Sequence, residues 1–497
     1  MTKSSEFREA SLNHPEQADR RSGTPAIGDQ MRIYVDGQWV ASTGTESIAV
    51  IDPATEETIG SVIRGTAEDV DRAVQAAAGA FDSWSNSSLE DRKAIFRKLA
   101  ELTAQRVDEI TRTIVAEVGQ PISSARVSQS AGAVDELRIM ADALDEISWV
   151  DSYDGAEVRR EAAGIVGAIT AWNAPLRSII SKAGAAMAAG CTVVLKSSEV
   201  APFSAYIFAE MAEEAGIPAG VFNLVTGTGP EVGEAIAQHP LIDLVSLTGS
   251  VRAGQRVMTL ASETVKRVHL ELGGKSANMI FEGADFEQAI STGIADAFRN
   301  AGQVCGGLTR VLVPRTRLAE AEELAVAAAN GYVIGDPFDP ATTLGPVITA
   351  VQRERIRDFI RSAPGEGARL LTGGAEMPEG MERGFYVRPT IFTGDNSMCI
   401  AREEIFGPVV TIIPFDTEDE AFAIANDSSY GLAGGIWAET PERARAMARR
   451  LRTGRIRING APISKLAPHG GFKLSGIGRE WGRYGVEEFL EYKSVNG

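Results

Sequence analysis

The chain holds 497 residues with 49 Lys+Arg against 67 Asp+Glu, a formal charge of −18, and only 3 Cys and 4 His. So acidic a balance excludes nucleic acid and anionic membrane as main partners, because phosphate binding there relies on surplus Lys and Arg. An odd number of cysteines excludes a disulfide framework, scarce Cys and His leave little for a metal site, and roughly 150 residues per domain suggests a cytoplasmic, multi-domain enzyme.

Residues 1–30 are polar and lack the apolar stretch of a signal peptide; Glu6, Glu9, Glu16 and Asp19 also count against a mitochondrial presequence, so a mobile tail is expected. The longest apolar runs, such as 164–172, fall far short of the roughly 20 residues that span a bilayer. Order is expected from Met31, where Ile33-Tyr34-Val35, an Asp36-Gly37 turn and Trp39-Val40 read as a hairpin. Thr66 opens a helix with Asp69 as its capping partner and Val70, Val74, Ala77, Ala78 and Phe81 on one face. One long helix is predicted from Ser88 to the stop at Gly119-Gln120-Pro121, a second from Asp135 to Ile147, and a strand or hairpin over 149–160.

From Gly164 the rhythm changes. Strands are predicted over 164–170, 192–196, 221–225, 243–247 and 265–270, with helices over 176–189, 203–215, 231–238 and 253–262 between them. Five strands alternating with four helices indicate an α/β, doubly wound parallel sheet, whose ligands bind at the carboxyl ends of the strands. A second α/β region runs from Leu272 to Arg457 with strands near 310–313 and 409–415, and 487–495 reads as a strand seeking a partner outside its own domain.

The strand-end residues carry the chemistry. No Gly-x-Gly-x-x-Gly follows the first strand; Gly227, Gly229 and Gly233 come later, and Gly249-Ser250 stands at a helix N-terminus, where free N–H groups favour a phosphate or simply form a turn. Lys196-Ser197-Ser198-Glu199 ends the second strand: a carboxylate there suits a ribose diol and repels a 2′-phosphate, although the two charges also make an ordinary solvated pair. Together on such a sheet they indicate a dinucleotide, NAD over NADP. Of the cysteines, Cys191 and Cys399 read as packing, whereas Cys305 in Gly302-Gln303-Val304-Cys305-Gly306-Gly307 lies among bare backbone that lets a substrate approach. Glu271, at the end of the fifth strand, reads either as a salt bridge to Lys275 or as a base. A thiolate, a carboxylate and a dinucleotide together imply aldehyde oxidation: thiolate addition, hydride transfer, and base-assisted attack of water on the thioester.

The chain resembles the NAD(P)-dependent aldehyde dehydrogenase superfamily over residues 31–497. The resemblance rests on Trp172-Asn173-x-Pro175, Lys196-x-x-Glu199, Thr248-Gly249-Ser250, Glu271-Leu272-Gly273-Gly274-Lys275, Gly302-Gln303-x-Cys305, Glu404-x-Phe406-Gly407-Pro408 and Gly470-Gly471-x-Lys473-x-Ser475-Gly476, in that order. It implies Cys305 as nucleophile, Asn173 with the Cys305 N–H as oxyanion donors, Glu271 as base, and Lys182 near a proton relay. For NAD it implies Lys196 and Glu199 at the adenosine ribose, Gly229, Gly249 and Ser250 around the pyrophosphate, and Glu404 at the nicotinamide ribose. Phe406, Ile169, Thr170, Trp172 and Leu272 would line the same site. The implied organisation is a Rossmann-like NAD-binding domain (31–144 and 163–271), a second α/β catalytic domain (272–460), and small β oligomerisation elements (145–162 and 478–497) joining a homodimer or homotetramer.

Departures concentrate at the substrate mouth. Ala171 and Ser197 stand where the family usually has proline, which loosens two turns and removes no functional group. Ala174, Ile463 and His469 stand where aromatic residues are common, and Arg177 and Ser178 where apolar ones are; with Val304 they line a wider, more polar pocket. Arg177 or His469 is therefore expected to meet a polar or anionic substrate group, unless Arg177 merely snorkels to solvent. Three other readings remain: transfer of the thioester to coenzyme A, against which Glu271 counts because such relatives generally lack it; a catalytically silent scaffold, against which intact Cys305 and Asn173 count; and a cysteine hydrolase using His269, which leaves the nucleotide residues unexplained.

Overall fold

The computed structural model describes residues 27–497; of the tail expected over 1–30, residues 1–26 lie outside the described residues. Arg32–Val35 (β1) and Gln38–Ala41 (β2) form the predicted hairpin, with Asp36 and Gly37 both at positive φ, 54° and 72°. Two left-handed residues make the tight turn whose twist matches that of the strands. The helix Ala67–Ser85 starts at Thr66, which makes a reciprocal capping box with Asp69. Its buried face is completed by Ala73, Ala80 and Trp84, while Ala78 and Phe81 sit at its edge.

The single helix expected after Ser88 is two, Leu89–Gln105 and Val107–Val118. Arg106 breaks it at φ −102°, ψ 15°, and its guanidinium holds Glu109 at 2.7 Å and Glu210 at 2.6 Å. Neither glycine nor proline marks that break in the sequence. Gly119 stops the second helix in the left-handed region, φ 78°, where a Cβ would stand 2.6 Å from Pro346 Cγ. A short helix, Ile122–Ala125, and a π-helical stretch, Arg126–Ala131, lead into the helix Gly132–Ala143, and a hairpin follows, Val150–Tyr153 (β3) and Ala156–Ala162 (β4).

Five parallel strands come next: Ile165–Ile169 (β5), Thr192–Lys196 (β6), Phe222–Leu224 (β7), Leu244–Thr248 (β8) and Arg267–Glu271 (β9). The second region contributes Ala277–Ile280 (β10), Arg310–Pro314 (β11), Arg369–Thr372 (β12), Thr390–Thr393 (β13), Val409–Phe415 (β14), Ala433–Trp437 (β15) and Arg455–Ile458 (β16). Later strands include Gly476–Ile477 (β17) and Leu490–Asn496 (β18).

The first sheet runs β2-β1-β7-β6-β5-β8-β9-β17, so its five central strands have the doubly wound order with a switch point between β5 and β8. Its central strands are near-continuous apolar runs, buried on both faces as a helix-covered parallel sheet requires. The second sheet runs β12-β13-β14-β11-β10-β15-β16. The two regions meet where β17, from the late segment, pairs antiparallel with β9, Gly476 opposite Glu271. The third sheet, β18-β4-β3, joins residues 490–496 to 156–162, giving the late strand its partner outside the second region.

Candidate active site

The carboxyl ends of β5, β6, β8 and β9 bring Ile169, Lys196, Thr248 and Glu271 to one edge of the first sheet. Beyond β5, Ala174 precedes the helical run Pro175–Ile179, Ile180–Gly184 and Ala185–Ala189, whose middle segment is π-helical. Asn173 ends up half-buried at this turn. Its Nδ2 donates to the Gln303 carbonyl at 3.1 Å, two residues from Cys305, and its own carbonyl accepts from Gln129 Nε2 at 3.1 Å and Asn300 Nδ2 at 3.3 Å.

Cys305 follows a strained approach. Asn300, Ala301 and Gly302 all have positive φ, 51°, 54° and 76°, two of them without the freedom of glycine. Buried Gln303 holds this turn: Nε2 donates to the Asn300 carbonyl at 3.0 Å and Oε1 accepts from the Ile348 N–H at 2.9 Å. Gly302 is required, since a Cβ there would lie 2.0 Å from the Gly407 carbonyl oxygen. Burial, and then the charge of Glu271, push the Cys305 thiol up to about 12. Cys191 is a core thiol as expected; Cys399 is instead exposed at the start of Cys399–Arg402, its N–H donating to Glu366 at 2.6 Å, because that short helix lies at the surface.

Glu271 is buried, and neither carboxylate oxygen has a hydrogen-bond partner among the described residues. Burial, then the Glu480 charge, hold its carboxyl well above the usual range. It makes no salt bridge to Lys275, whose Nζ is itself buried without a partner and pushed down to about 7 by burial and Arg310. Lys182, fully buried, donates to Glu480 Oε1 at 2.9 Å and Ser246 Oγ at 3.3 Å. Ser246 lies opposite His269 across β8 and β9, with Oγ 2.8 Å from Nδ1. Glu480 and Ser246 were not anticipated from sequence: Gly-Arg-Glu-Trp looks like a surface turn, and Ser246 acquires meaning only from strand register.

On the other side, Lys196 is buried with Nζ 2.6 Å from Glu199 Oε2. Ser250 caps the helix Val251–Ala261, accepting from the Ala253 N–H, and Gly249 donates to the Glu271 carbonyl at 3.0 Å. Thr170 donates to the Lys196 carbonyl at 3.1 Å, and Gly229 opens the π-helical turn Gly229–Gly233 with free space around its Cα. Glu404 Oε1 accepts from the Gly274 N–H at 3.0 Å, and a Cβ on Gly273 would lie 2.1 Å from its other oxygen. Leu272 is held by its N–H on the Ser475 carbonyl, and Ser475 Oγ donates to the Gly273 carbonyl at 2.7 Å. Phe406, at φ 57°, sets its ring edge-on to Trp172, centroids 5.3 Å apart. An anion-ready helix end, a carboxylate beside a buried lysine, and two aromatics with a carboxylate opposite suit an extended dinucleotide.

Of the residues expected at the substrate mouth, Ala174, Ser178, Val304 and Ile463 are half-buried. Arg177 and His469 both have partners within the protein. Arg177 is not free for a substrate carboxylate: Nε donates to Glu136 Oε1 at 2.8 Å, Nη2 pairs with the same oxygen, and Nη1 donates to the Ser128 carbonyl at 3.1 Å. His469 is buried against Glu271, its Nε2 3.6 Å from Oε2, with its ring stacked on Trp481.

Residues 39–495 match the model of the aldehyde dehydrogenase family. Among curated relatives, a 3-succinoylsemialdehyde-pyridine dehydrogenase from Pseudomonas sp. is 48% identical over 471 residues, 94% of this chain and 99% of the relative. A mutant of aldehyde dehydrogenase C from Pseudomonas syringae, solved with NAD+ and octanal, superposes with a TM-score of 0.93 at 48% identity, covering 94% of this chain and 96% of that one. A Mycobacterium tuberculosis aldehyde dehydrogenase solved with NAD+ gives 0.92 at 40% identity, covering 94% and 98%.

Proposed function

This chain belongs to the aldehyde dehydrogenase family, and we propose that it oxidises an aldehyde to the carboxylic acid with NAD through Cys305 and Glu271. The observation that carries the assignment of roles is the buried Glu271 carboxylate at the end of β9, which has no hydrogen-bond partner among the described residues. Cys305 loses its thiol proton to solvent and its Sγ forms a bond to the aldehyde carbon, while Asn173 Nδ2 and the Cys305 N–H donate to the oxygen that becomes negative; one such donor is typically worth about 3 kcal/mol. NAD, when bound, supplies the hydride acceptor that turns this adduct into a thioester. Water then adds to the thioester carbon, Glu271 takes its proton, the C–S bond breaks, and the Cys305 thiolate leaves. Lys182 and Glu480 form the buried pair next to that base, suited to pass the proton on.

Lys196, Glu199, Gly249, Ser250, Glu404 and Phe406 would hold the dinucleotide, with Ile169, Thr170, Trp172, Gly229 and Leu272 packing around it. NAD over NADP follows from the Glu199 carboxylate. The same reading takes 31–144 with 163–271 as the cofactor domain and 272–460 as the catalytic domain. The elements 145–162 and 478–497 join copies into a homo-oligomer; exposed Tyr153 and Tyr492 on the third sheet support this. Three free cysteines support a cytoplasmic setting.

Rapid mixing of Glu271→Gln with an aldehyde and NAD tests the assignment. The variant is expected to release one equivalent of NADH per active site and then to turn over about 10²–10⁴ times more slowly. Normal steady turnover would remove Glu271 as the base. Running an aldehyde panel with NAD and then NADP reads the cofactor preference directly.

A further inference from the structure

We propose that His469 is a positioning residue for Glu271, donating its Nε2–H to the carboxylate and so keeping the base ionised and aimed. The inference rests on the reading of Glu271 as the base. The tautomer follows from one contact: Arg455 Nη1 lies 3.2 Å from His469 Nδ1. A guanidinium only donates, so Nδ1 must present its lone pair and the ring proton must sit on Nε2. That nitrogen lies 3.6 Å from Glu271 Oε2, slightly beyond a formed hydrogen bond, facing a carboxylate with no other partner.

The ring cannot easily turn away. It stacks on Trp481 with centroids 4.5 Å apart and planes 18° from parallel, and Arg455 lies over the same indole. Its backbone is bridged both ways to Glu480, N–H to carbonyl at 2.8 Å and back at 2.7 Å. One short bridge therefore presents Glu480 to Lys182 and His469 to Glu271. The next residue closes the other side: a Cβ on Gly470 would stand 2.7 Å from Glu271 Oε1.

The charged groups facing this pair come from several elements. Glu480, Lys182, Arg479 and Arg455 act on Glu271; Arg455, Arg177, Lys182 and Arg479 act on His469; Cys305 feels Glu271, Arg455 and Glu480. Burial, followed by those cations, holds the imidazole pKa well below its ordinary value. His469 therefore faces Glu271 as a neutral donor.

The test compares His469→Phe, which keeps a ring on Trp481 but has no donor, with His469→Gln, which keeps a donor. Burst and steady-state NADH are measured from pH 6 to 10. His469→Phe is expected to keep the burst while kcat at pH 7 falls about tenfold and the acid limb of kcat moves up about one pH unit. His469→Gln should restore most of both. In a Glu271→Gln background, His469→Phe should change kcat no further. An acid limb that stays in place in His469→Phe overturns the proposal, as does a change confined to KM, which would make His469 a substrate-pocket residue only. If Glu271→Gln itself turns over normally, it is the base assignment that falls.

Discussion

Lys182 Nζ and Glu480 Oε1 are 2.9 Å apart, the lysine with no exposed side-chain surface and the glutamate with 9%. An ion pair so placed has lost its hydration, and its members depend on each other. Glu480→Gln leaves a buried ammonium whose remaining partner is Ser246 Oγ, and should destabilise the protein by about 3–5 kcal/mol. Lys182→Met combined with Glu480→Leu should cost clearly less than the sum of the single changes. Denaturant unfolding of Glu480→Gln, of each single change and of the double variant checks this; additive costs would mean the pair is not coupled.

Arg177→Ala is expected to leave the ratio of kcat/KM for a carboxylated and a neutral aldehyde unchanged within about twofold. Its guanidinium is engaged by Glu136 and the Ser128 carbonyl, and the loss should appear as about 1–3 kcal/mol of stability as Glu136 goes unpaired. A selective loss of the carboxylated substrate would return Arg177 to substrate recognition.

For the cofactor, Glu199→Gln removes the negative charge beside Lys196. The NADP-to-NAD ratio of kcat/KM should rise at least about fivefold, the least that a carboxylate–phosphate repulsion of ~1 kcal/mol implies. No change would move the ribose site away from Glu199.

The three thiols should react in order of exposure. Cys399 is exposed and should alkylate first, and Cys191, buried and pushed up to about 12, should stay unmodified in the folded protein. Cys305 is also pushed up to about 12, so its rate should climb about tenfold per pH unit from 7 to 9 without a plateau. Glu271→Gln removes one of the charges holding the thiol protonated and should speed Cys305 alone. Peptide mapping of iodoacetamide-treated protein distinguishes the sites; a plateau below pH 8 would contradict the geometry.

Glu117 carries the clearest pH signature in stability. It caps the helix Phe203–Glu214 from a distance, accepting from the Phe203 N–H at 3.0 Å and Ser204 Oγ at 3.2 Å, yet burial pushes its carboxyl up to about 8. Its folded pKa is raised, so between the usual carboxylate value and about 8 the native state holds more protons than the unfolded chain. Stability must fall as pH rises through that window. Glu117→Gln should flatten the fall, gaining on the parent from pH 5 to pH 8 in chemical denaturation. Parallel curves would show that Glu117 is ionised throughout.

Local chemistry explains what could be read in advance. The apolar strands ending at Ile169, Lys196 and Glu271 are bounded by glycine and polar turns, and Thr66 with Asp69 marks a helix start. What could not be read depends on distant contacts. Arg106 interrupts a helix without glycine or proline while pairing with Glu210, and Asn300 and Ala301 adopt left-handed backbone in a turn held by Gln303. Arg177 stands out in the sequence as a charge where apolar residues are expected, but Glu136, 41 residues earlier, does not stand out as its partner. His469 was singled out by scarcity; its neighbour proved to be Glu271.

The pairing of β18 with β4 also has a consequence in time. Leu490 aligns with Ala162 and Asn496 with Ala156, so β4 waits for a segment made some 330 residues later, on the order of tens of seconds at translation speeds of about 5–20 residues per second. Throughout that interval one edge of the β3–β4 hairpin is unpaired, while the strands β5 to β9 are being made after it. Arg159, Arg160 and Glu161 along β4 place charge on that waiting edge, the kind of side chain that discourages a stray strand from pairing there first.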